Sequence, residues 1–233
     1  KHNNWSLCTD SVINFLKPGK EPDKNPLFLL SLAAVIKAVD KHQELLRISV
    51  ATAGNDHRLG ANEAPPAILS IFLGEELTAL LESIESGKHH DNAKRERMNM
   101  GADIIPAIRK DNTDRNRTSP FAFTGNKFEF RMLGASCSIA DANTTLNTIV
   151  SEMLDRFSDR LEGADDFNAA VREIVTETYH AHKRILFDGN GYSEEWCEEA
   201  ARRGLHNYAT AAEAIPHLVD PENVAVFEKH GIF

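Results

Sequence analysis

Apolar residues fill nearly every position over residues 27–40, so a helix there is buried on most sides. Pro26 suits its first turn, where a missing N–H costs nothing. Residues 42–51 continue helically after a break. Residues 75–86 form a helix with Leu77, Leu80 and Leu81 facing inward. Residues 1–7 alternate loosely, as a strand or extended loop does, and the apolar run 67–73 has strand length. Residues 18–25 and 52–66 are loops rich in Pro and Gly, and residues 87–100 are a charged, solvated excursion. From residue 140 onward the pattern is helical, over 140–161, 166–186, 193–203, 210–219 and 222–230. Pro216 limits the fourth of these beyond Ile215, and Asn190-Gly191 and Pro221 mark breaks. The first ~135 residues are therefore mixed and the last ~95 helical, an α+β chain without an internal repeat.

The most chemically loaded stretch runs from Asp114 to Met132. Residues 121–124 and 127–132 read as two short strands around Gly125-Asn126, the length and type of a tight hairpin turn. Such a turn sets Phe123 opposite Phe128 and Phe121 opposite Phe130, four rings on one face. The other face carries Lys127, Glu129 and Arg131, with small Ala122 opposite Glu129, and Arg115 and Arg117 arrive at the same end. From the residues alone two readings stand. K-x-E-x-R is either a solvated face with weak ion pairs, or an anion site with a metal ligand inside it.

Composition bounds the answer. The 233 residues suffice for one large domain or two small ones, and 42% hydrophobic residues can build a core. A net charge of −9 and a pI near 5.6 argue against generic binding to nucleic acid or an anionic membrane. The longest apolar run, residues 27–36, is interrupted by Ser31 and falls short of the roughly 18 residues a membrane span needs. Cys8, Cys137 and Cys197 are odd in number and far apart, which fits reduced thiols in a cytoplasmic protein. There is no signal-peptide pattern, and the opening K-H-N-N-W-S-L leads to the expectation of a portion of a longer protein.

R-N-R at residues 115–117, followed after a strand and turn by K-F-E-F-R, resembles the hairpin of glutamine synthetases. N-D-H-R-L-G-A-N-E-A-P-P and F-T-G-N-K-F-E-F-R look most like the type III branch of that family. The resemblance implies a partial glutamine synthetase catalytic domain over residues 1–160, an antiparallel sheet with helices. A helical carboxy-terminal region characteristic of type III-like enzymes then covers residues 161–233. By the same resemblance K-H-N-N-W-S makes His2 a metal ligand, with Asn4 and Ser6 contacting ATP. Arg58 grips the substrate glutamate, and Glu63 closes over the site and takes a proton from ammonium. Glu129 is a metal ligand near the γ-phosphate, and Arg131 binds the substrate carboxylate. Arg117 stabilises the phosphoryl group in flight, and Lys127 is a cation on the nucleotide side.

The activity implied is ATP-dependent ligation of ammonia to glutamate through γ-glutamyl phosphate, with Mg2+ or Mn2+, in a cytoplasmic homo-oligomer. The family's amino-terminal β-domain and several metal-ligating glutamates would precede residue 1, so the isolated chain is expected to be inactive. The alternatives are a related γ-glutamyl ligase using a larger amine, and a non-catalytic interaction module. His180 and His182, two apart on a helix, do not share a face as a metal pair does. Trp5 and Trp196 are expected to pack in the core.

Overall fold

A computed structural model describes residues 2–61, 64–87 and 118–232. Asn3–Trp5 is strand β1. A loop with one 3-10 turn leads to helix α1, Pro26–Lys41, where the Asn25 side chain accepts from the Phe28 N–H and Pro26 occupies the first turn. Helix α1 is buried from Phe28 to Asp40 except at Lys37, as its unbroken apolar pattern requires. Each large apolar side chain buried this way stabilises the fold by roughly 1.5–3 kcal/mol. Short helices α2 (Gln43–Ile48) and α3 (Ala53–Asp56), strand β2 (Ile71–Phe72) and helix α4 (Glu75–Glu85) follow. Leu77, Leu80 and Leu81 are the buried face of α4, as the pattern predicts.

Strands β3 (Phe121–Phe123) and β4 (Phe128–Phe130) form the expected hairpin. Phe121 pairs with Phe130, Ala122 with Glu129 and Phe123 with Phe128. Gly125 takes φ +90°, whereas Asn126 is not among the described residues with positive φ. Glycine leading with positive φ marks a II′-like turn, whose twist suits the two strands. All four rings are buried, with Phe121 stacked on Phe128 at 4.7 Å. The sheet order is β1-β4-β3-β2. Its β1-β4-β3 part is antiparallel, and β2 adds a parallel edge beside β3. Helix α1 lies under the apolar face, with Phe28 against Phe123 at 6.1 Å.

The helical region comprises α5 (Ala140–Glu162), α6 (Phe167–His182), α7 (Glu194–Arg202), α8 (Ala211–Ala214) and α9 (Pro221–Lys229). Asp166, Ser193 and Thr210 cap three of them with their side chains. Pro216 acts as expected: regular helix stops at Ala214 and becomes a 3-10 stretch, Ile215–Val219. Helix α5 holds β1 through two residues one turn apart. Asn143 accepts from Asn3 at 2.8 Å and Asn147 from the Trp5 indole at 2.9 Å. Asp40, in the last turn of α1, meets the unfavourable end of the helix dipole. Its buried carboxylate is compensated by His182 at 2.7 Å and Arg184 at 2.8 Å. His180 instead pairs with Glu85, so the two histidines have separate partners. One hydrophobic core runs from Trp5 to Phe227, drawing on both the mixed and the helical parts.

Glu152 ties α5 to α9. Burial pushes its carboxyl up, but hydrogen bonds from Lys229, Arg156 and His230 outweigh that and hold its pKa at about 2. A depressed carboxylate contributes stability that is present above its unfolded value and lost as pH falls toward the folded one. Glu152→Gln is therefore expected to cost up to about 3 kcal/mol in urea unfolding at pH 7. The gap to the wild type narrows as pH drops from about 4.5 toward about 2. A gap that stays constant through that window contradicts the assignment. Among the described residues, no helix is long and apolar enough to cross a membrane.

Candidate active site

Glu129 sits mid-strand in β4, between Asn4 of β1 and Ala122 of β3. The two-residue period turns it to the face opposite the phenylalanine rings. On β1 the same period sends Asn3 and Trp5 into the core and leaves His2 and Asn4 exposed. His2 Nδ1 lies 3.4 Å from Glu129 Oε2. Arg131, two residues along, donates to that same oxygen from Nε at 3.3 Å and Nη2 at 3.1 Å. Its Nη1 reaches the Ser119 carbonyl at 3.5 Å. The side chain of Arg131 is 6% exposed and that of Glu129 18%, so this ion pair is largely shielded from solvent.

Arg58 is brought to the same end. The Thr52 hydroxyl accepts from the Asn55 N–H and starts α3, whose Asn55 side chain donates to the carbonyls of Val50 and Met132, each at 2.9 Å. Arg58 then donates from Nε to Asn55 Oδ1 at 3.0 Å and from Nη2 to the Met132 and Arg131 carbonyls at 2.5 and 3.3 Å. Its guanidinium thus lies along the backbone that leaves β4.

The remaining residues of interest gather at the opposite, turn end of the hairpin. Ser6 Oγ donates to the Asn126 carbonyl at 3.0 Å, beside half-buried Lys127. Lys127 is four strand residues from Arg131, roughly 13 Å. The order along the hairpin is therefore Ser6 and Lys127, then Asn4 and Glu129, then His2, Arg131 and Arg58. Glu63 and Arg117, and with them Arg115, His89 and His90, lie outside the described residues.

Two features were not visible in the sequence. Asp188, from the helical region, accepts from the N–H groups of Leu73 and Gly74 at 3.2 and 3.4 Å and from the Thr78 hydroxyl at 3.3 Å. It caps α4, whose own cap residue, Gly74, has no side chain to do so. Ser119 had no motif to mark it. Residues 52–66, read from the sequence as a loop, contain the one-turn helix α3, for which only Thr52, an N-cap residue type, was a local signal.

A family model described as the glutamine synthetase C-terminal domain matches residues 170–233, essentially α6 onward. The whole chain aligns with a glutamine synthetase of Butyrivibrio fibrisolvens at 48% identity, covering 33% of that protein. It aligns likewise with one of Bacteroides fragilis at 49%, covering 33%, and with a type-3 glutamine synthetase of Dictyostelium discoideum at 45%, covering 32%. The chain belongs to the glutamine synthetase family. It spans about a third of the length of these curated relatives.

Glutamine synthetase chemistry implies a divalent metal, and His2 with Glu129 suits part of its shell. Two donors on adjacent octahedral positions, about 2.1 Å from an ion, lie roughly 3 Å apart; His2 Nδ1 and Glu129 Oε2 are 3.4 Å apart. Among the described residues no group of three or more His, Cys, Asp or Glu converges. Two protein ligands do not exclude Mg2+, which is often bound by one or two carboxylates, water and substrate phosphates. An imidazole in the pair suits Mn2+ as well.

Proposed function

We propose that the full-length protein ligates ammonia to glutamate, driven by ATP. The observation that carries this reading is the linear order of side chains along the hairpin. Of the residues assigned by resemblance to the nucleotide, Ser6 and Lys127 lie toward the turn end and Asn4 beside Glu129, and the glutamate-side arginines (Arg58, Arg131) lie at the other end. Glu129 stands between these ends, and His2 reaches it from the Arg131 side. That order suits a γ-phosphoryl group passing along the face from nucleotide to acceptor.

The acceptor needs activation because the γ-carboxylate of glutamate has oxide as its leaving group. Its oxygen attacks the γ-phosphorus of ATP, the bond to ADP breaks, and γ-glutamyl phosphate forms. Ammonium gives a proton to Glu63. Ammonia then attacks the γ-carbonyl carbon and a C–N bond forms; the C–O bond breaks with its electron pair on phosphate, which leaves carrying the oxygen and the proton that the new amide nitrogen sheds. Phosphoryl transfer asks the protein for placement and charge stabilisation. Arg58 and Arg131 orient glutamate, for which guanidinium forks are suited. Arg117 offsets charge on the transferring group, and Asn4, Ser6 and Lys127 hold the nucleotide. His2 and Glu129 would hold Mg2+ or Mn2+, which supplies positive charge against the phosphate oxygens.

In this reading residues 1–160 belong to the catalytic domain and 161–233 to the type III-like helical region, within a cytoplasmic homo-oligomer. Phosphate release from Mg·ATP by the full-length protein is expected only when glutamate and ammonium are both present. Release that requires a larger amine in place of ammonium selects a different γ-glutamyl ligase. No release under any condition returns the hairpin to an interaction surface.

A further inference from the structure

We infer that Gly191, in the helical region, is a positioning residue for the glutamate side of the site; this rests on the proposed ligation. The segment leading to it is pinned to the sheet. Leu186 bridges Ile71 in parallel, and the Phe187 N–H donates to the Ile71 carbonyl at 2.9 Å. Phe187 stacks on Trp196 at 3.7 Å, and Asp188 caps α4. Gly191 then arrives, buried, between two loops. A Cβ on it would stand 2.3 Å from the Thr118 carbonyl oxygen, 3.2 Å from that carbonyl carbon and 3.5 Å from Pro65 Cβ. Its φ is outside the left-handed region, so space and not backbone freedom is what demands glycine.

Each neighbour supports one substrate-side arginine. Thr118 also donates its hydroxyl to the Gly189 carbonyl at 3.2 Å, so this segment both holds Thr118 and packs closely against it. The next two residues supply acceptors to Arg131: Ser119 to the guanidinium at 3.5 Å and Pro120 to the backbone N–H at 2.7 Å. The Pro65 carbonyl accepts from the Gly60 N–H at 3.0 Å, closing the turn that follows Arg58. A methyl group at residue 191 pushes on a backbone carbonyl, which has no rotamer by which to move aside. Both arginine supports shift together. Ser6 and Lys127, on the nucleotide side, are at the far end of the hairpin.

The test is steady-state phosphate release by the full-length protein, varying glutamate and ATP separately. Gly191→Ala is expected to raise the KM for glutamate about tenfold and to leave that for ATP within about twofold. Gly163→Ala, whose Cβ meets nothing within 4 Å, serves as the control. A merely structural role lowers the active fraction, and so kcat, with both KM values unchanged. That result, or an equal rise in both KM values, overturns the inference. If Gly191→Ala does not fold, Thr118→Ala decides: it removes only the hydroxyl tie and is expected to raise the glutamate KM about twofold to threefold. An unchanged KM there overturns the inference. A wild-type protein that releases no glutamate-dependent phosphate overturns the ligase reading first, before any variant is compared.

Discussion

Glu129→Ala in the full-length protein is expected to lower glutamate- and ammonium-dependent phosphate release by about 100-fold or more. Two losses combine. The carboxylate is the oxygen partner of His2 in the proposed metal pair. It also accepts from Nε and Nη2 of Arg131, whose side chain is 6% exposed. Removing it takes from a buried guanidinium the one oxygen to which two of its N–H groups donate, so Arg131 loses the orientation that glutamate binding needs. Glu129→Gln separates the two effects, because it keeps the volume and an acceptor oxygen but removes the charge. If charge is what matters, Gln falls nearly as far as Ala. Retention of more than a tenth of wild-type turnover by the Ala variant contradicts the role given to Glu129.

The largest expected effect on stability lies elsewhere, at Arg47. Its side chain is 2% exposed. Nε donates to the Tyr208 carbonyl at 2.7 Å, and Nη2 to Asp56 at 2.7 Å and the Ala209 carbonyl at 3.3 Å. Asp56 in turn accepts from the Ala211 N–H at 2.6 Å. One ion pair thus joins α2, the turn before Arg58, and the chain entering α8. Arg47→Met keeps much of the volume but strands a carboxylate and two carbonyls. It is expected to cost about 3–5 kcal/mol in urea unfolding. The double variant Arg47→Met/Asp56→Asn is expected to recover part of that, since no buried charge is then unpaired. The Arg47 Nη1 is buried without a hydrogen-bond partner, a penalty that either variant removes and that offsets part of the cost in both. A single-variant cost below about 1 kcal/mol contradicts this account.

What the sequence disclosed follows the range of the interactions involved. The hairpin register was legible because a two-residue turn leaves little freedom and every pairing is local. The shared face of His2, Asn4 and Glu129 followed from strand alternation once β1 was placed beside β4. Helix starts at Asp166, Ser193 and Thr210 were visible because caps act within three residues. Strand β2 was harder. The apolar run over residues 67–73 yields only Ile71–Phe72, because its partners, Phe121 and Leu186, are remote in sequence and pair with it only there. The α4 cap from Asp188 crosses more than 110 residues and has no local signal. The attachment of Arg58 to the backbone of Arg131 and Met132 was equally hidden, because backbone carbonyls leave no trace in residue identities.

The measurement closest to the central claim follows one oxygen atom. Glutamate labelled with 18O in its γ-carboxylate is supplied with Mg·ATP and ammonium to the full-length protein, and the released phosphate is analysed by mass. If the γ-carboxylate is phosphorylated and ammonia then displaces phosphate, one labelled oxygen leaves with each phosphate formed. Phosphate carrying no label would mean that ATP is cleaved without activating glutamate, and the proposed ligation would fall.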